Sequence, residues 1–356
     1  MTAPRSPIPV AVLGATGAVG QAFIRLLQDH PWFDLVEVAA SERSAGKRYR
    51  DAARWIGEGN APASVEDRIV LACDPAAVSA PIVFSALDSS VAGEAEAAFA
   101  RAGRFVVSNA KNYRMERDVP LVIAEVNPQH LDLIEGQRKA RGWKGAIVTN
   151  GNCSTIVAVL ALAPLHERYR LKRLFVSTMQ AVSGAGYPGV PSLDILGNVV
   201  PFIREEEEKL ESESRKMLGL LANGAITDAS FGVSAHCNRV PVENGHTICI
   251  SAEFETQPSP EDAMSAMSAW RGAEEARALP SAPAQPVIVT REEDRPQPRR
   301  DVNAGGGLSV VVGRVRRDPL LGLKLVAMGH NVVRGAAGAA LLNAELLVAR
   351  GMTDGL

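Results

Sequence analysis

The stretch Ile8-Pro-Val-Ala-Val-Leu-Gly14-Ala-Thr-Gly17-Ala-Val-Gly20 decides the fold, because it joins a short apolar run to three regularly spaced glycines. The run predicts a buried strand, and the apolar residues from Val19 to Leu27 recur at helical spacing. Glycines between a strand and a helix allow a tight turn and let a pyrophosphate approach the helix N-terminus. We therefore predict a dinucleotide site whose contacts are Gly14, Thr16, Gly17, Ala18 and Val19.

Further apolar runs repeat this alternation of strand and helix. The predicted strands are Leu35 to Ala40, Ile82 to Ala86 and Ala146 to Thr149, with a helix at Gly93 to Arg101. Such alternation is typical of a parallel sheet with helical crossovers. From about Leu171 the β-rich segments become longer, which indicates a second domain.

These patterns predict an α/β protein with two domains. The first is a Rossmann-type parallel sheet domain at residues 1–152, and the second is an α+β, mainly antiparallel-sheet domain at residues 153–331. Residues 277–304, rich in Pro, Ala and charge, are predicted to form a loop or exposed excursion. A long alanine-rich helix is predicted from residue 332 onward.

The composition excludes several classes of protein. The chain has 356 residues, a formal net charge of -2 and a pI near 6.3, so it lacks the positive charge that binds nucleic acids or anionic membranes. No stretch resembles a signal peptide or a membrane span. The four cysteines include no Cys-x-x-Cys pair for a metal. We expect a cytoplasmic protein that acts on a small molecule, without nucleic acid, membrane or metal partners.

The second predicted strand leads into Ser41-Glu-Arg-Ser-Ala-Gly-Lys47, where a dinucleotide-binding domain contacts the ribose. An acidic residue there usually binds NAD, whereas a cation and hydroxyl groups suit the 2′-phosphate of NADP. Ser41, Arg43, Ser44 and Lys47 therefore favour NADP. Glu42 leaves NAD open, and a solvated basic loop is the alternative.

Cys153 lies in Thr149-Asn-Gly-Asn-Cys-Ser-Thr155, between a predicted strand and an apolar helix. The dipole and free N–H groups of a helix N-terminus favour a thiolate and can stabilise an oxyanion on an attacked carbonyl. A buried cysteine is more often only a small apolar side chain, but the polar neighbours of Cys153 argue against that here. Cys153 is the predicted nucleophile, and its thioester would accept hydride from NADPH.

His246 follows Asn244-Gly245, a strong hairpin signal. A two-residue loop there would pair Arg239 with Ile250 and place Arg239 and His246 on one face, about 13 Å apart along the strands. His246 would then act as acid or base, and Arg239 would bind a carboxylate. A surface arginine beside a hairpin-end histidine is the alternative, and His236 is a second candidate for the base.

The charged segment 204–216 predicts a helix, and most such charge runs only form a solvated face. Glu213 and Lys216 are three residues apart and therefore project from the same side of that helix. One could bind an ammonium group and the other an anion.

Taken in order, several motifs resemble the aspartate-β-semialdehyde dehydrogenase family, especially its archaeal and fungal branch. They are the glycine turn and segment 41–47, Asn152-Cys-Ser-Thr155, Gln180-Ala-Val-Ser-Gly-Ala-Gly186, Arg239-Val-Pro-Val242 with Gly245-His246, and Arg334-Gly-Ala-Ala337. The resemblance implies NADPH-dependent reductive dephosphorylation of L-aspartyl-4-phosphate to aspartate semialdehyde, a reaction of lysine, threonine and methionine biosynthesis. It also implies that the final helix, residues 332–356, packs on the nucleotide domain. The second domain would then be catalytic and dimerising, in a homodimer or homotetramer.

Roles for single residues also follow from the resemblance. Cys153 would be the nucleophile, His246 the acid/base, and Gln180 would orient the acyl intermediate. The substrate contacts would be Arg239 to the carboxylate, Glu213 to the ammonium, and Arg114 with Lys216 to the phosphate. The additional cofactor contacts would be Ser85, Gly184 and Asn331.

Two positions depart from the family pattern: Gly151 stands where proline is expected and His330 where aspartate is usual. They leave room for a paralogue with another acyl substrate. The nearest alternative is a malonyl-CoA reductase-like enzyme, which Glu213 disfavours, and an N-acetylglutamyl-phosphate reductase fits the cysteine motif less well. A reductase with Tyr-x-x-x-Lys is excluded because no tyrosine has lysine four residues later. A non-catalytic NADP-binding paralogue is the last alternative. The presence of both Cys153 and His246 argues against it.

Overall fold

The computed structural model describes residue 4 and residues 6–57 and 59–353. The predicted first domain, 1–152, and the predicted final helix, 332–356, both include residues that lie outside this described part.

A six-stranded parallel sheet forms the first half of the molecule, as predicted. Its strands are β1 (Ile8–Leu13), β2 (Phe33–Ala40), β3 (Leu71–Ala72), β4 (Ile82–Ser85), β5 (Phe105–Ser108) and β6 (Ala146–Thr149), in the order β3-β2-β1-β4-β5-β6. The crossovers contain α1 (Ala18–Leu26), α2 (Tyr49–Ala52), α3 (Ala63–Glu66), α4 (Ser89–Arg101) and α5 (Leu133–Arg141), with a 3₁₀ turn at Pro128–Asp132. Because the strand order reverses at β1, a ligand groove is expected outside the carboxyl ends of β1 and β4.

The glycine turn after β1 is packed too closely for side chains. Gly14 has a φ of +74°, and a Cβ atom there would lie 2.5 Å from the carbonyl oxygen of Ala86. A Cβ atom on Gly20 would lie 2.2 Å from the carbonyl oxygen of Gly14. Glycine at both positions therefore lets α1 begin directly against the turn.

The second sheet is mixed, with the order β10-β7-β11-β14-β13-β12. Its strands are β7 (Leu171–Gln180), β10 (Gly232–Arg239), β11 (His246–Phe254), β12 (Val287–Val289), β13 (Val310–Asp318) and β14 (Gly322–Gly329), and a separate hairpin joins β8 (Leu220–Ala222) to β9 (Ala225–Thr227). Three of its five described strand pairs are antiparallel, which agrees with the prediction. The helices of this half are α6 (Cys153–Tyr169), α7 (Ser192–Ile195), α8 (Glu206–Met217), α9 (Pro260–Ala269), α10 (Glu274–Arg277) and α11 (Pro298–Asp301), with 3₁₀ turns at Val182–Ala185 and Ala304–Gly307.

Helix α6 carries the apolar core of this half. Its residues Leu160 and Leu162 are buried in one cluster with Val176 of β7 and Ile248 of β11. Although α6 is apolar, no helix within the described residues has the length and apolarity needed to cross a membrane.

The hairpin predicted for residues 239–250 is wrong. Strand β7 lies between β10 and β11, parallel to the first and antiparallel to the second. Arg239 is therefore in register with Gln180. The connection crosses the end of β7, where carbonyl groups of residues 242–243 accept hydrogen bonds from N–H groups of residues 182–183. These bonds replace the ladder that a two-residue loop would have formed.

The loop predicted at residues 277–304 is also only partly a loop. It contains α11 and the edge strand β12, which pairs in parallel with β13. The Pro-rich composition concealed a strand of only three residues.

After β14 the chain returns to the first sheet. A π-helical turn (Val333–Ala337) leads into α12 (Gly338–Ala349), and Leu341 of α12 shares an apolar core with Val10 and Phe23. Within the turn, the fully buried Arg334 donates hydrogen bonds to both carboxylate oxygens of Glu125, at 2.7 and 2.9 Å. This ion pair attaches the end of the second sheet to the segment before α5.

Candidate active site

The turn between β6 and α6 places Cys153 at the first position of α6. Asn152 caps the helix: its Oδ1 atom accepts hydrogen bonds from the N–H groups of Ser154 at 3.0 Å and Thr155 at 3.1 Å. The cap fixes the first helical turn and hence the direction of the thiol. The same cap occupies the N–H groups of Ser154 and Thr155, which the sequence suggested as donors to an oxyanion. An oxyanion on the substrate would therefore need other hydrogen-bond donors.

His246, at the start of β11, lies against the thiol. Its Nε2 atom is 3.2 Å from Cys153 Sγ, and the imidazole is fully buried. The Nδ1 atom accepts a hydrogen bond of 3.1 Å from the N–H group of Ala181. Because Nδ1 is an acceptor, the proton of the neutral ring resides on Nε2 and points toward the sulfur. The structure therefore brings the predicted nucleophile and the predicted acid/base into contact.

Burial controls the protonation of both groups. It lowers the pKa of His246 to about 3, and the positive charge of Arg239 adds to this effect. Burial also raises the pKa of Cys153 to about 12; the charge of Glu206 raises it further, and the charges of Arg239 and Arg114 oppose this shift. Both shifts favour the neutral forms, a thiol beside a neutral imidazole, whereas the helix N-terminus alone would favour the thiolate.

Arg239 and His246 converge on the 3₁₀ turn after β7. Arg239 Nη1 donates to the carbonyl oxygen of Ala181 at 2.8 Å, while the N–H group of the same residue binds His246. A Cβ atom on Gly184 would lie 2.9 Å from Arg239 Nη1 and 3.1 Å from His246 Cε1. The two side chains thus border the same small space, closer than the 13 Å or so expected along a hairpin.

Gln180 ends β7 and joins a group of amides around Glu206. Gln180 Nε2 donates to Ser154 Oγ and, at 3.1 Å, to Glu206 Oε1. Asn152 Nδ2 donates to the same oxygen at 2.8 Å. Sequence reasoning missed Glu206, because its only signal was membership of a charge run.

Arg114 and Glu213 form a buried ion pair next to the turn between β6 and α6, which precedes Cys153. Arg114 Nη1 lies 3.0 Å from Glu213 Oε1, and Arg114 Nη2 donates to the carbonyl oxygen of Asn109 at 2.6 Å. Glu213 Oε2 accepts a hydrogen bond of 2.6 Å from the N–H group of Asn152. Both predicted substrate-binding residues are therefore beside Cys153 and connected to its turn.

Lys216 does not match its predicted role. Its Nζ atom donates to the carbonyl oxygens of Arg114, Glu116 and Val119 at 2.6, 2.7 and 2.9 Å. An ammonium group has three donors, so none is left for a phosphate. Burial also lowers the pKa of Lys216 to about 8. The helical spacing was correct, but the side chain secures the segment after β5.

Most of the predicted cofactor residues, from Gly14 to Ser85, lie near the carboxyl ends of strands β1, β2 and β4 of the first sheet, whereas Gly184 and Asn331 belong to the second half. Gly17 provides no side-chain cap for α1, which leaves N–H groups of its first turn for an anion. Arg43 and Lys47 are exposed after β2 and form no salt bridge with the described residues. A cavity of about 1250 Å³ extends from Ala18 of α1 to Ser183 and His330. An elongated ligand could therefore reach from the glycine turn toward the turn that holds His246.

Asn331 and the two residues that depart from the family pattern, His330 and Gly151, each have defined contacts. Asn331 bridges the N–H group of Gly245, at 2.9 Å, and the hydroxyl of Ser183, at 2.8 Å, so its amide supports the turn before His246. His330 lines the cavity, and its Nδ1 atom accepts from the backbone of the next turn. At Gly151, a Cβ atom would lie 1.9 Å from Met217 Cε, so the methionine fills the space that a proline ring would need.

Together the fold and this site define a two-domain oxidoreductase class, with a dinucleotide groove on a parallel sheet and a cysteine–histidine pair at the junction with a second sheet. Two family models match the chain: "Semialdehyde dehydrogenase, NAD binding domain" over residues 9–134 and "Semialdehyde dehydrogenase, dimerisation domain" over residues 162–334. The chain belongs to the aspartate-semialdehyde dehydrogenase family.

Individual relatives agree over nearly the whole chain. An aspartate-semialdehyde dehydrogenase of Archaeoglobus fulgidus is 53% identical over 339 residues, covering 95% of this chain and 97% of the relative. One from Candida albicans is 47% identical over 355 residues, covering 95% and 97%. The crystal structure of aspartate semialdehyde dehydrogenase with NADP from Candida albicans has a TM-score of 0.89 at 44% identity, over 97% of this chain and 99% of that chain. These matches confirm the predicted family and fold class and do not favour the acyl-CoA reductase or non-catalytic alternatives.

Proposed function

We propose that the chain catalyses the reversible, NADPH-dependent reductive dephosphorylation of L-aspartyl-4-phosphate to L-aspartate 4-semialdehyde. The observation that carries this proposal is the 3.2 Å contact between Cys153 Sγ and His246 Nε2. Family membership supplies the reaction class, and the contact supplies a nucleophile with an adjacent proton donor.

NADP fits the groove of the first sheet. The turn at Gly14 and Gly20 has no room for a Cβ atom, as a close backbone approach to a pyrophosphate requires. Arg43 and Lys47 would hold the 2′-phosphate, with Ser41 and Ser44 as hydroxyl donors. Ser85, Gly184 and Asn331 would border the nicotinamide end. When bound, NADPH supplies the hydride that reduces the thioester.

Cys153 and His246 would share the covalent steps. The sulfur bonds to the acyl carbon while the carbon–oxygen bond to phosphate breaks, and the thiol proton leaves with the phosphate. After reduction, the carbon–sulfur bond would break and the aldehyde would be released; His246 Nε2–H would return a proton to the sulfur and regain one from solvent. His246 Nε2–H lies beside the sulfur, where the acyl group would be attached, so it would also be placed to donate to the developing oxyanion.

The remaining polar groups would orient the substrate. Arg239 is placed to bind the α-carboxylate, because it borders the space at Gly184 together with His246. Glu213 would attract the ammonium, and Arg114 would bind the phosphate. Gln180 would orient the acyl intermediate. We do not include Lys216 among the phosphate ligands, because its three N–H donors already have partners.

We further propose a cytoplasmic homodimer or homotetramer. The outer face of β7 exposes Phe175 and Met179, and the nearby segment exposes Leu193, Leu196 and Phe202. Exposed apolar side chains of this kind suit an isologous interface, in agreement with the name of the second family model. The division at residue 152, with the final helix returning to the first sheet, remains part of this proposal.

One assay tests the activity directly. The protein is incubated with aspartate semialdehyde, NADP and phosphate, and NADPH formation is followed by absorbance. Turnover should require phosphate and should disappear in Cys153→Ala. A parallel reaction replaces phosphate with CoA. Turnover with CoA alone, or full activity of Cys153→Ala, would contradict the proposal.

A further inference from the structure

Glu206 is a buried carboxylate beside the nucleophile that the proposed chemical steps do not use. It is the first residue of α8 and is only 6% exposed. Its inner oxygen, Oε1, accepts from Asn152 Nδ2 at 2.8 Å and from Gln180 Nε2 at 3.1 Å. Its outer oxygen, Oε2, lies 3.7 Å from Lys209 Nζ. One oxygen of a single carboxylate thus faces two amides of the site.

These contacts determine which way the amides point. A carboxylate only accepts hydrogen bonds, so Asn152 and Gln180 must both turn their nitrogen atoms toward Glu206. Asn152 Oδ1 then points to the N–H groups that it caps at the start of α6. Gln180 donates its second N–H to Ser154 Oγ, and its Oε1 atom has no hydrogen-bond donor among the described residues.

We propose that Glu206 is a positioning residue that acts through Asn152 and Gln180. It fixes the cap of the helix that carries Cys153, and it turns the Gln180 oxygen away from itself so that this oxygen can face a substrate. A substrate group that meets Gln180 must then be a hydrogen-bond donor. The activity readout of this inference rests on the proposed function, whereas the thiol readout does not.

Glu206 also affects the thiol through its charge. Its carboxylate favours the protonated form of Cys153, and Arg239 and Arg114 favour the thiolate. Among the described residues, the titratable and charged groups that act on the thiol are His246 from β11, Glu206 from α8, Arg239 from β10 and Arg114 from the segment after β5. Glu213 of α8 is bonded to Arg114 and to the N–H group of Asn152. Removing only the charge of Glu206 should therefore make the thiol easier to ionise.

Two substitutions separate the two effects. Glu206→Gln keeps a carbonyl oxygen that can accept from both amides but removes the charge. Glu206→Met keeps the volume and removes both acceptors. The exposed Glu208, on the same helix, provides the matched control Glu208→Gln. Each protein is assayed for turnover and for the rate at which iodoacetamide modifies Cys153, measured by mass spectrometry of the peptide.

We expect Glu206→Gln to keep kcat within about threefold and to be alkylated about three- to tenfold faster at about pH 8, because a nearby negative charge is lost. Glu206→Met should lose about 10- to 100-fold in kcat, since both amides are free to turn. Adding Gln180→Ala to Glu206→Met should cost little more, because the two residues act as one unit. Glu208→Gln should change neither quantity.

Several results would overturn the inference. Glu206→Met with kcat within threefold of the parent would exclude a positioning role, and full additivity with Gln180→Ala would exclude action through that amide. Unchanged alkylation of Glu206→Gln would exclude the charge effect. If Glu206→Met does not fold, loss of kcat in the folded Glu206→Gln would overturn the positioning argument, because that variant retains both bonds. Absence of turnover in the unsubstituted protein would instead refute the proposed function, and the alkylation comparison would still test Glu206.

Discussion

Gly335→Ala should damage the site through a single methyl group. Gly335 lies in the π-helical turn, and a Cβ atom there would be 2.5 Å from Cys153 Cβ and 2.9 Å from Cys153 Cα. Carbon atoms pack at about 3.5–4.0 Å, so the turn and the start of α6 would have to separate by about 1 Å. A shift of about 1 Å at reacting atoms can cost on the order of 100-fold in rate, and overpacking costs about 1–3 kcal/mol in stability.

The prediction is checked by steady-state kinetics together with denaturant unfolding. Gly136→Ala is the matched control: Gly136 is exposed in α5, and a Cβ atom there meets nothing within 4 Å. The control should keep full activity and gain up to about 1 kcal/mol from helix propensity. If Gly335→Ala keeps kcat within threefold of the parent and has the same free energy of unfolding, the close packing of Gly335 on Cys153 does not determine the position of the thiol, and the prediction is refuted.

Other groups give independent tests. Since the pKa of Cys153 is about 12 and that of His246 about 3, alkylation of Cys153 should rise about tenfold per unit from about pH 7 to 9, and a plateau below about pH 8 would reveal a preformed ion pair. Lys216→Met should lower the free energy of unfolding by about 2–5 kcal/mol because three carbonyl groups, two of them buried, lose their donor. A large rise in the phosphate KM without loss of stability would instead restore the predicted phosphate-binding role of Lys216. Arg334→Met should cost about 3–5 kcal/mol in urea unfolding, and the double variant with Glu125→Leu should recover most of it; equal loss in both would show that pairing is not the cause.

Features set by neighbouring residues could be predicted from the sequence. The glycine turn between β1 and α1 depends on backbone freedom at Gly14 and Gly20, which the residue type reveals directly. The position of Cys153 at the start of α6 follows from the boundary between an apolar strand and an apolar helix. The family motifs added the partners that are distant in sequence, including His246.

Features set by distant contacts could not be predicted from local patterns. Asn244-Gly245 indicated a hairpin between the segments that form β10 and β11. In the structure, β7 lies between these two strands, and the N–H groups of residues 182–183 bind the carbonyl groups of residues 242–243. Helical spacing placed Glu213 and Lys216 on one side of α8, yet only the folded chain shows that carbonyl oxygens after β5 receive the lysine. The same spacing said nothing about which residues meet Glu206.

The contact between Gly335 and Cys153 has a consequence for synthesis of the chain on the ribosome. Cys153 is synthesised soon after the parallel strands that precede it. Gly335, which packs on Cys153, is synthesised much later, in the π-helical turn that continues into α12, which ends at Ala349. While these residues are still inside the ribosome, the site of the nascent chain is incomplete, even if its first sheet has already folded. Catalytic competence is thus a late event in the life of each new molecule.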